Sequence, residues 1–380
     1  MTDLTDSFRA KIDALDRRSR LRRLIPRAGH DFASNDYLGL AHDPAIGAAV
    51  AGAVARGVPV GSGGSRLLRG NAPEHEALEA QAAALFGSEG ALFFANGFVA
   101  NMALLSALPG PDDLIVADAL IHASAHDGMK LGRAKAVLAA HNDPHAFDDA
   151  ISNWRAQGGT GTPWMVVETI YSMDGDRAPV DALAQVAARH DAMLIFDEAH
   201  ATAVYGASGR GLAAHLESQP NVIALHTCGK GLGVEGALVT AAQPIIDLLV
   251  NRGRGFVFST APSPLMAVAV SAALERMTQA DDLRADLGRL IAHAAQHICA
   301  PLDLPPPTSQ ILPIIIGPDA RTMQVATLLQ EAGFDIRGIR PPTVPRGTAR
   351  LRISLTLNVD ESVIEALGKA LRHALAQAPA

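Results

Sequence analysis

The chain has 380 residues and carries 32 Lys and Arg against 39 Asp and Glu, so its formal charge is −7 with neutral histidines. With 48% hydrophobic and 19% charged residues, it has the composition of a globular protein with a large core, which excludes intrinsic disorder. Only five of the cations are lysines, and because they are scattered along the chain, no basic stripe is available for a nucleic-acid backbone.

The chain has two isolated cysteines, Cys228 and Cys299, which exclude a disulfide framework and a zinc site built from cysteines. Two such cysteines suit a reducing compartment. The charged N-terminus lacks the apolar region of a signal peptide, and no run reaches the roughly 18 apolar residues of a membrane span. The sequence therefore predicts a cytoplasmic protein with neither membrane nor nucleic acid among its partners, and it offers no set of metal ligands.

The predicted elements start with an N-terminal arm, residues 1–43, in which apolar positions at helical spacing predict a helix over about 5–23. Residues 44–262 alternate between helix-period stretches and short β-rich runs, which indicates βαβ units and a mostly parallel sheet. The β-rich runs cover 90–94, 113–118, 134–140, 164–169, 192–197 and 221–225. Several are apolar without alternation, as expected for strands that are covered on both faces.

The last part of the chain, residues 263–380, predicts a smaller α+β domain. Long Ala/Leu helices near 262–303 lead through a proline-rich link to a strand, ILPIII, and a helix near 320–332. A second strand, ARLRISL, and a last helix over about 360–376 complete it. The sequence thus predicts an α/β fold with a large sheet domain over 44–262 and a smaller C-terminal domain.

An acidic motif follows the run at 192–197, where Asp197 and His200 come directly after an apolar strand. In open α/β sheets such strand-end residues point into the ligand crevice, so both are candidates for chemistry, although a strand-end acid can also cap a helix. The letters DEAH match a helicase box. That assignment requires a P-loop, and Lys230 is followed by Gly231 where Ser or Thr should stand, so we reject it.

A single lysine, Lys230, lies in the glycine-rich segment HTCGKGLGVEGAL. The glycines formally match a dinucleotide fingerprint, but the strand-like run ALVTA follows where that motif requires a helix, so the match is spurious. Small neighbours let a ligand approach Lys230 closely, and a desolvated lysine becomes a nucleophile or forms a Schiff base. The other lysines lie on helix-like, charge-bearing stretches that are typical of solvated faces.

A Schiff-base lysine behind a strand-end aspartate suggests pyridoxal 5′-phosphate (PLP) as the cofactor. PLP needs a lysine for its aldehyde and a carboxylate that keeps its pyridine nitrogen protonated, so that the ring can act as an electron sink. It also needs a phosphate cradle. The segment FFANGFVANMALL supplies one, since a strand runs into Asn96, Gly97 and Phe98 and then into a helix whose first N–H groups can face an anion.

The sequence resembles the α-oxoamine synthase family of fold-type I PLP enzymes in motifs that span nearly the whole chain in family order. The matching stretches are SNDYLGLA (34–41), GSGGSRLLRGNAPEHEALE (61–79), FFANGF (93–98), DALIHAS (118–124), HNDP (141–144), ETIYSMDGDRAPV (168–180), FDEAHATAVYGASGRG (196–211), HTCGKGLG (226–233) and IRPPTVPRGTARLRISLT (339–356). The resemblance implies a PLP-dependent acyltransferase with a mostly parallel central sheet flanked by helices and a smaller α+β C-terminal domain.

The resemblance implies roles for five residues around the cofactor ring. Lys230 would carry PLP as a Schiff base, and Asp197 would pair with the pyridine nitrogen. His122 would stack on the ring face, where a neutral imidazole can also exchange a proton, and His200 and Ser172 would bond to the phenolic oxygen. Of the 14 histidines, only His122 and His200 match family positions, so we expect the others to be structural or surface groups.

The cofactor phosphate has its own predicted partners. By resemblance, Thr227 would bind the phosphate together with the backbone of Gly97 and Phe98. Ser259 and Thr260, in FVFSTAP, resemble the family segment that reaches the phosphate of the neighbouring subunit. The resemblance therefore implies a homodimer with shared active sites.

The substrate residues are predicted from the two ends of the chain. Arg352 alternates with apolar neighbours in RLRIS and would offer its planar fork to an amino-acid carboxylate, a bidentate task that lysine performs poorly. By resemblance, Arg22, Arg340 and Thr343 would lie along the acyl group, and Asn35 would contact the substrate. The rivals of Arg22 in the same arginine-rich segment are Arg18, Arg20 and Arg23.

The reaction implied by the resemblance is decarboxylative condensation of L-alanine with a pimeloyl thioester, carried by CoA or an acyl carrier protein. Lys230 would be the base that removes the Cα proton. Three alternatives remain: a sister synthase that joins glycine or serine to another acyl-CoA, a non-catalytic sensing domain, and a dinucleotide oxidoreductase. The IRPPT stretch argues against the first, the short arm before Ser34 against the second, and the failed fingerprint against the third.

Overall fold

The structure, a computed structural model, describes residues 4–378. Its helices are α1 (Asp6–Asp16), α2 (Pro44–Ala55), α3 (Pro73–Phe86), α4 (Gly97–Ala107), α5 (Ala123–Leu131), α6 (Pro144–Ala156), α7 (Val180–His190), α8 (Gln243–Arg252), α9 (Arg254–Val257), α10 (Pro264–Thr278), α11 (Asp281–Ala294), α12 (Asp319–Glu331) and α13 (Glu361–Gln377). Its strands are β1 (His30–Asp31), β2 (Gly90–Phe94), β3 (Leu114–Asp118), β4 (Lys135–Ala139), β5 (Pro163–Glu168), β6 (Met193–Asp197), β7 (Val222–Thr227), β8 (Ala237–Ala241), β9 (Ile311–Gly317), β10 (Phe334–Asp335), β11 (Arg337–Ile339) and β12 (Ala349–Ser354). Across these residues, no helix combines the length and the apolar character that a bilayer span requires.

Most of the predicted elements are confirmed. The six β-rich runs are β2 to β7, the run ALVTA is β8, and the predicted C-terminal elements are β9, α12, β12 and α13. The predicted N-terminal helix is wrong beyond Asp16. The chain turns there, and Ser19 has a φ of +54°, a left-handed conformation that a right-handed helix cannot contain.

The large sheet has seven strands in the order β2-β8-β7-β6-β5-β3-β4. The strands from β7 to β4 are parallel to one another, and β8 runs antiparallel to both of its neighbours. Because parallel strands end at the same edge, the residues that follow β3, β5, β6 and β7 are brought together there. This edge carries the candidate site.

Both faces of the large sheet are covered. On β6, Ile195 packs into one apolar cluster with Ile115 and Val166, whereas Phe196 packs into a second cluster on the opposite face. All of these side chains are at most 1% exposed. Burying each large apolar side chain stabilises the fold by about 1.5–3 kcal/mol. Because both faces of these strands are buried, apolar residues do not alternate with polar ones along them.

The described chain divides into two compact units, and the first comprises residues 38–172 and 176–285. It contains the large sheet and extends past the predicted domain boundary at residue 262, since α10 belongs to it. Two contacts bind α10 to earlier elements. Gln81 on α3 donates to the carbonyl of Ser271 at 3.2 Å, and Arg276 pairs with Asp43 at 3.1 Å.

The second unit comprises the described residues up to Tyr37, Met173–Gly175 and the chain from Asp286 onward. Its antiparallel sheet has the order β11-β12-β9, and β1 pairs in parallel with β10, with His30 opposite Phe334. The sequence predicted the N-terminal arm as a separate segment. The pairing of β1 with β10 explains why most of this arm, up to Tyr37, belongs to the second unit instead. Phe32 is fully buried in the same core as Leu351.

Candidate active site

One cavity in the first unit gathers residues from the carboxyl ends of the parallel strands. Glu168 ends β5, Asp197 ends β6 and Thr227 ends β7, and His122 follows β3 by four positions. The residues that line the cavity are Gly97, Phe98, Asn101, His122, Ser124, Glu168, Asp197, Ala199, His200, Thr227 and Lys230. Seven of these were predicted as site residues from the sequence.

Asp197 is a buried carboxylate that the surrounding donors hold in place. Its Oδ2 accepts a hydrogen bond from Nδ2 of Asn101 at 2.7 Å, and its Oδ1 accepts one from the backbone N–H of Ala199 at 3.0 Å. Asn101 also donates to Oγ of Ser124 at 3.0 Å. Because the chain continues after Asp197 as a turn, Asp197 caps no helix, and that alternative is wrong.

Asn101 was missed in the sequence, although its side chain donates a 2.7 Å hydrogen bond to Asp197. It lies one helical turn after Gly97 on α4 and is 3% exposed. The signal was available in FFANGFVANMALL, where a buried polar amide interrupts an otherwise apolar helix four residues after the glycine. A buried amide of this kind needs hydrogen-bond partners.

Glu168 is a second buried carboxyl group, opposite Asp197 in the strand register and only 2% exposed. Its Oε2 accepts from the backbone N–H of Ser172 at 3.2 Å, and its Oε1 has no hydrogen-bond partner among the described residues. Burial and the charge of Asp197 raise the pKa of Glu168 well above its usual value, with the charge of Lys230 acting in the opposite direction. Burial and the charge of Asp197 therefore both favour the protonated form of Glu168.

His122 precedes α5, and its Nδ1 accepts from the backbone N–H of Ser124 at 3.2 Å and lies 2.8 Å from Oγ of the same residue. Desolvation of the ring lowers the pKa of His122, the charge of Asp197 opposes this, and the charge of Lys230 adds to the lowering. His122 is thus neutral at neutral pH, and its proton lies on Nε2 because Nδ1 is an acceptor. Ser124 links this ring to Asn101 and through it to Asp197.

The start of α4 lies against the end of β7. The side chain of Asn96 caps the helix by accepting from the N–H of Val99 at 3.0 Å, and the first N–H groups of the helix have no intrahelical acceptor. A Cβ atom on Gly97 would stand 2.6 Å from Oγ1 of Thr227, so only glycine fits there. The first N–H groups of α4 and the hydroxyl of Thr227 therefore lie close together, as an anion site requires.

Lys230 lies in the turn that joins β7 to β8. The backbone N–H of Gly233 donates to the carbonyl of Lys230 at 2.9 Å, and that of Val234 donates to the carbonyl of Cys228 at 3.0 Å. Gly233 has a φ of +69°, and a Cβ there would stand 2.3 Å from the backbone nitrogen of Ala41. The turn is therefore tightly packed and points a half-buried lysine side chain into the cavity lining.

Four further predicted residues occupy different positions in the same unit. His200 is 4% exposed and lines the cavity. Ser172 is attached to the cavity wall through its N–H bond to Glu168. Ser259 and Thr260 follow α9 and are not among the residues that line the cavity.

A cluster of charged side chains lies beside the segments that carry His122 and Ser172. The ring of His141 lies 2.8 Å from Oδ1 of Asp118, the last residue of β3, and 2.7 Å from Oδ2 of Asp176. Burial opposes the positive charge on this ring, but the two carboxylates outweigh it and raise the pKa of His141 to about 10. The cluster joins the chain that leads to His122 with the segment that follows Ser172.

The second unit contains a cavity of about 580 Å³ where the N-terminal arm meets the loop after β11. It is lined by Leu15, Arg18, Arg20, Leu21, Arg22, Pro341, Pro342, Val344, Pro345 and Arg346. Arg22 donates from Nη2 to Oγ1 of Thr343 at 3.0 Å, and Arg340 donates from Nη1 to the carbonyl of Ser19 at 2.6 Å. Three predicted substrate residues thus lie at or beside one cavity.

The arginines at this cavity differ in their partners. Arg20 is bonded to the carboxylate of Asp319 at 2.7 Å, which compensates its charge, whereas Arg22 donates to a neutral hydroxyl. Burial and the nearby charge of Arg22 lower the pKa of Arg340. A desolvated arginine beside another cation favours the binding of an anion.

Arg352 and Asn35 also belong to the second unit. Arg352 lies on β12, is 8% exposed and donates from Nη1 to Oγ of Ser354 at 2.7 Å. Arg350, two positions earlier on the same face, pairs with the carboxylate of Asp174. Asn35 accepts from the hydroxyl of Tyr37 at 3.1 Å.

The comparison with known families identifies the class of protein. The profile of the family "Aminotransferase class I and II" matches residues 29–371. The chain therefore belongs to this family, and within it to the α-oxoamine synthases, as its motifs predicted.

Curated relatives narrow the similarity further. The chain is 40% identical to the 8-amino-7-oxononanoate synthase of Anaeromyxobacter dehalogenans, over 98% of this chain and 96% of that one. It is 38% identical to the protein of the same name from Chromobacterium violaceum, over 93% of this chain and 94% of that one. These relatives therefore match the chain over almost its whole length.

Solved structures share the fold. Serine palmitoyltransferase from Sphingomonas wittichii superposes with a TM-score of 0.87 at 27% identity, covering 98% of this chain and 99% of that one. The 8-amino-7-oxononanoate synthase from Francisella tularensis superposes with a TM-score of 0.76 at 26% identity, covering 91% of this chain and 97% of that one. The mostly parallel sheet flanked by helices is thus confirmed as the fold-type I architecture.

PLP is the cofactor that this family implies, and the cavity fits it. Lys230 can bind an aldehyde, and the buried carboxylate of Asp197 is fixed where a protonated ring nitrogen could pair with it. The contact between Gly97 and Thr227 leaves a cradle that a Cβ would fill. The unpartnered Oε1 of Glu168 adds a buried polar atom at the cavity wall.

Proposed function

We propose that the chain catalyses the decarboxylative condensation of L-alanine with a pimeloyl thioester, carried by CoA or an acyl carrier protein, to give 8-amino-7-oxononanoate, CO₂ and the free thiol. The product places the reaction in the assembly of biotin. The observation that carries the proposal is the cavity that joins Lys230, Asp197 and the Gly97–Thr227 cradle, in a chain 38–40% identical over nearly its full length to synthases of that name.

Different residues of the cavity would bind different parts of PLP. Lys230 would attach the cofactor covalently, Asp197 would face the pyridine nitrogen, and His122 would pack on the ring. His200 and Ser172 would bond to the phenolic oxygen. The phosphate would be bound by Thr227 and by the N–H groups of Gly97 and Phe98. When bound, PLP supplies the electron sink for the negative charge that develops on Cα of the amino acid.

The chain's own groups move the protons. The Nζ atom of Lys230, once neutral, would remove the Cα proton of alanine and later return a proton to the same carbon. In between, Cα forms a bond to the thioester carbonyl, the thiolate leaves and takes a proton, and the bond to the original carboxylate breaks to release CO₂. His122 is neutral and open to solvent, so it can relay a proton from water to the leaving thiolate.

Glu168 and Asp197 would act as a pair of unlike carboxyl groups. Asp197 receives two hydrogen bonds, whereas burial and the charge of Asp197 oppose the ionisation of Glu168 and raise its pKa. A second negative charge beside the ring nitrogen is therefore disfavoured. This arrangement holds the proton on that nitrogen without placing a second anion beside it.

The acyl specificity would come from the cavity in the second unit. A pimeloyl group is a methylene chain that ends in a carboxylate, and the lining combines Leu15, Val344 and prolines with arginines. Arg22, held by Thr343, would take the terminal carboxylate, with Arg340 beside it. Arg352 would bind the carboxylate of alanine, and Asn35 would contact the substrate.

A thiol-release assay with purified protein tests the substrate assignment. Alanine, glycine and serine are each combined with pimeloyl-CoA, heptanoyl-CoA and acetyl-CoA. We expect turnover with alanine and pimeloyl-CoA, and about tenfold less with heptanoyl-CoA, which has the same chain but lacks the charge for Arg22. Faster turnover with glycine and acetyl-CoA would instead identify a sister synthase, glycine C-acetyltransferase.

A homodimer with shared active sites belongs to the same proposal, and so does a cytoplasmic location, which the two buried thiols suit. Large apolar side chains are exposed beside the cradle and the segment that contains Ser259, with Phe98 at 42% and Phe258 at 73%. In the dimer, Ser259 and Thr260 would reach the partner's phosphate. Mixing inactive Lys230→Ala with Thr260→Ala chains tests this, because shared sites would restore one intact site per heterodimer.

A further inference from the structure

Two histidines and a glutamate converge in the second unit, in a region that the proposed function does not use. His293 lies in the last turn of α11, His297 lies in the π-helical turn Ala295–Cys299 that follows it, and Glu365 lies on α13. One potential ligand atom from each residue lies within 4.8 Å of the others. Three potential donors from two separate parts of the chain thus lie close together.

The separation between the donors suits an ion better than a direct hydrogen bond. Nε2 of His293 lies 3.4 Å from Oε1 of Glu365, yet it is buried and makes no hydrogen bond within residues 4–378. Two ligands that are each about 2.0–2.1 Å from a tetrahedral ion stand about 3.4 Å apart. The rings of His293 and His297 stack with their centroids 4.1 Å apart, so both imidazoles lie on the same side of the helix.

The backbone around the three residues is closely packed. Gly368, three positions after Glu365, lies so close to the π-helical turn that a Cβ there would stand 2.3 Å from the carbonyl oxygen of His297. Ile298 and Leu367, the neighbours of these residues, are fully buried in the core of the unit. The distance between the turn and α13 is therefore fixed by packing, and π-helical turns of this kind frequently occur at functional sites.

The cluster also remains open to solvent. The side chain of His293 is 16% exposed and that of Glu365 is 43% exposed. An ion can therefore enter and keep a water molecule in its fourth position, as in sites built from two histidines and a glutamate. Imidazole nitrogens favour Zn²⁺, Co²⁺, Ni²⁺ and Cu²⁺ over Mg²⁺ and Ca²⁺, which prefer oxygen ligands.

We propose that His293, His297 and Glu365 bind one divalent transition-metal ion, with Zn²⁺ as the physiological candidate. The ion would crosslink the end of α11 and its π-helical turn to α13, and so stabilise the second unit. The site requires no cofactor chemistry and does not depend on the proposed reaction. Because an ion that binds only the folded state raises its stability, bound metal would be measurable without any activity assay.

Titration of the metal-stripped holoenzyme with Co²⁺ at neutral pH tests the site, with the visible d–d absorption as the signal and thermal unfolding with Zn²⁺ as a second measurement. The variants are His297→Ala and the conservative Glu365→Gln, which keeps the fold even if the first does not. His373→Ala is the matched control, since His373 is an exposed histidine on α13 whose ring bonds to the side chain of Gln377.

We expect wild type and His373→Ala to bind one Co²⁺ per chain and to unfold at a higher temperature with Zn²⁺. Glu365→Gln and His297→Ala should each weaken binding by at least about tenfold and lose the thermal shift. The absence of saturable binding in wild type would overturn the proposal. Binding that persists unchanged in Glu365→Gln would also overturn it, because the ion would then occupy another site.

Discussion

Replacing Asn101 by alanine tests how the cavity holds Asp197. The substitution removes the 2.7 Å hydrogen bond to Oδ2 of Asp197 and the 3.0 Å bond to Ser124. A hydrogen bond to a charged group contributes about 1.5–3 kcal/mol, which corresponds to about 10- to 150-fold in an equilibrium constant. Because the buried carboxylate then loses this side-chain donor, we expect Asn101→Ala to bind PLP at least about tenfold more weakly and to have a correspondingly lower kcat.

Reconstitution of the apoenzyme with PLP, followed by the absorbance of the bound cofactor, measures the first effect, and thiol release measures the second. Asn221→Ala is the matched control, since Asn221 donates a neutral hydrogen bond of 2.8 Å to the carbonyl of Ala192 outside the cavity lining. Both variants should lose stability, but only Asn101→Ala should lose cofactor affinity. If Asn101→Ala binds PLP as tightly as the control, the assignment of Asn101 as the residue that positions Asp197 is refuted.

Three further predictions concern ionisable side chains. Glu168→Gln should keep kcat within about threefold at neutral pH, because the raised pKa of Glu168 favours its protonated form, which an uncharged amide resembles; a loss of kcat of more than about tenfold would contradict the raised pKa of Glu168. The stability advantage of wild type over His141→Asn, measured by urea unfolding, should be complete below about pH 6.5 and disappear as the pH rises through about 10, since folding raises the pKa of His141; an advantage that grows with pH would refute this. Arg22→Ala should raise KM for pimeloyl-CoA about tenfold while Arg23→Ala, its exposed neighbour, should not; equal effects would exclude Arg22 as the specific contact.

The sheet could be predicted from the sequence because its strands are continuous apolar runs, and the carboxyl ends of those runs indicated where chemistry would lie. Asp197 was predictable for this reason, Lys230 because it lies among small residues in a glycine-rich segment, and Thr227 only from the family resemblance. Asn101 gave only one signal, a polar amide inside an apolar helix, and its partner Asp197 becomes evident only when that helix is placed against β6. Glu168 was missed because it continues the apolar run of β5, and only the strand register sets it opposite Asp197.

Contacts between residues that are far apart in the sequence could not be predicted from local sequence patterns. The pairing of His30 with Phe334 involves strands of two residues, too short to show a period. The sequence also could not choose among the arginines of the N-terminal arm. Only the fold shows that Arg20 is bonded to Asp319 and that Arg22 lies against Thr343, both about three hundred positions away.

The most direct test of PLP chemistry uses the scarcity of lysine in this chain. Borohydride reduction of the holoenzyme fixes the cofactor to the lysine that binds it, and peptide mass analysis then locates the pyridoxyl label among only five lysines. Lys230 should carry the label, and Lys230→Ala should carry none. A label on Lys11, Lys130, Lys135 or Lys369, or no label on wild type, would contradict the assignment of the cavity as the cofactor site.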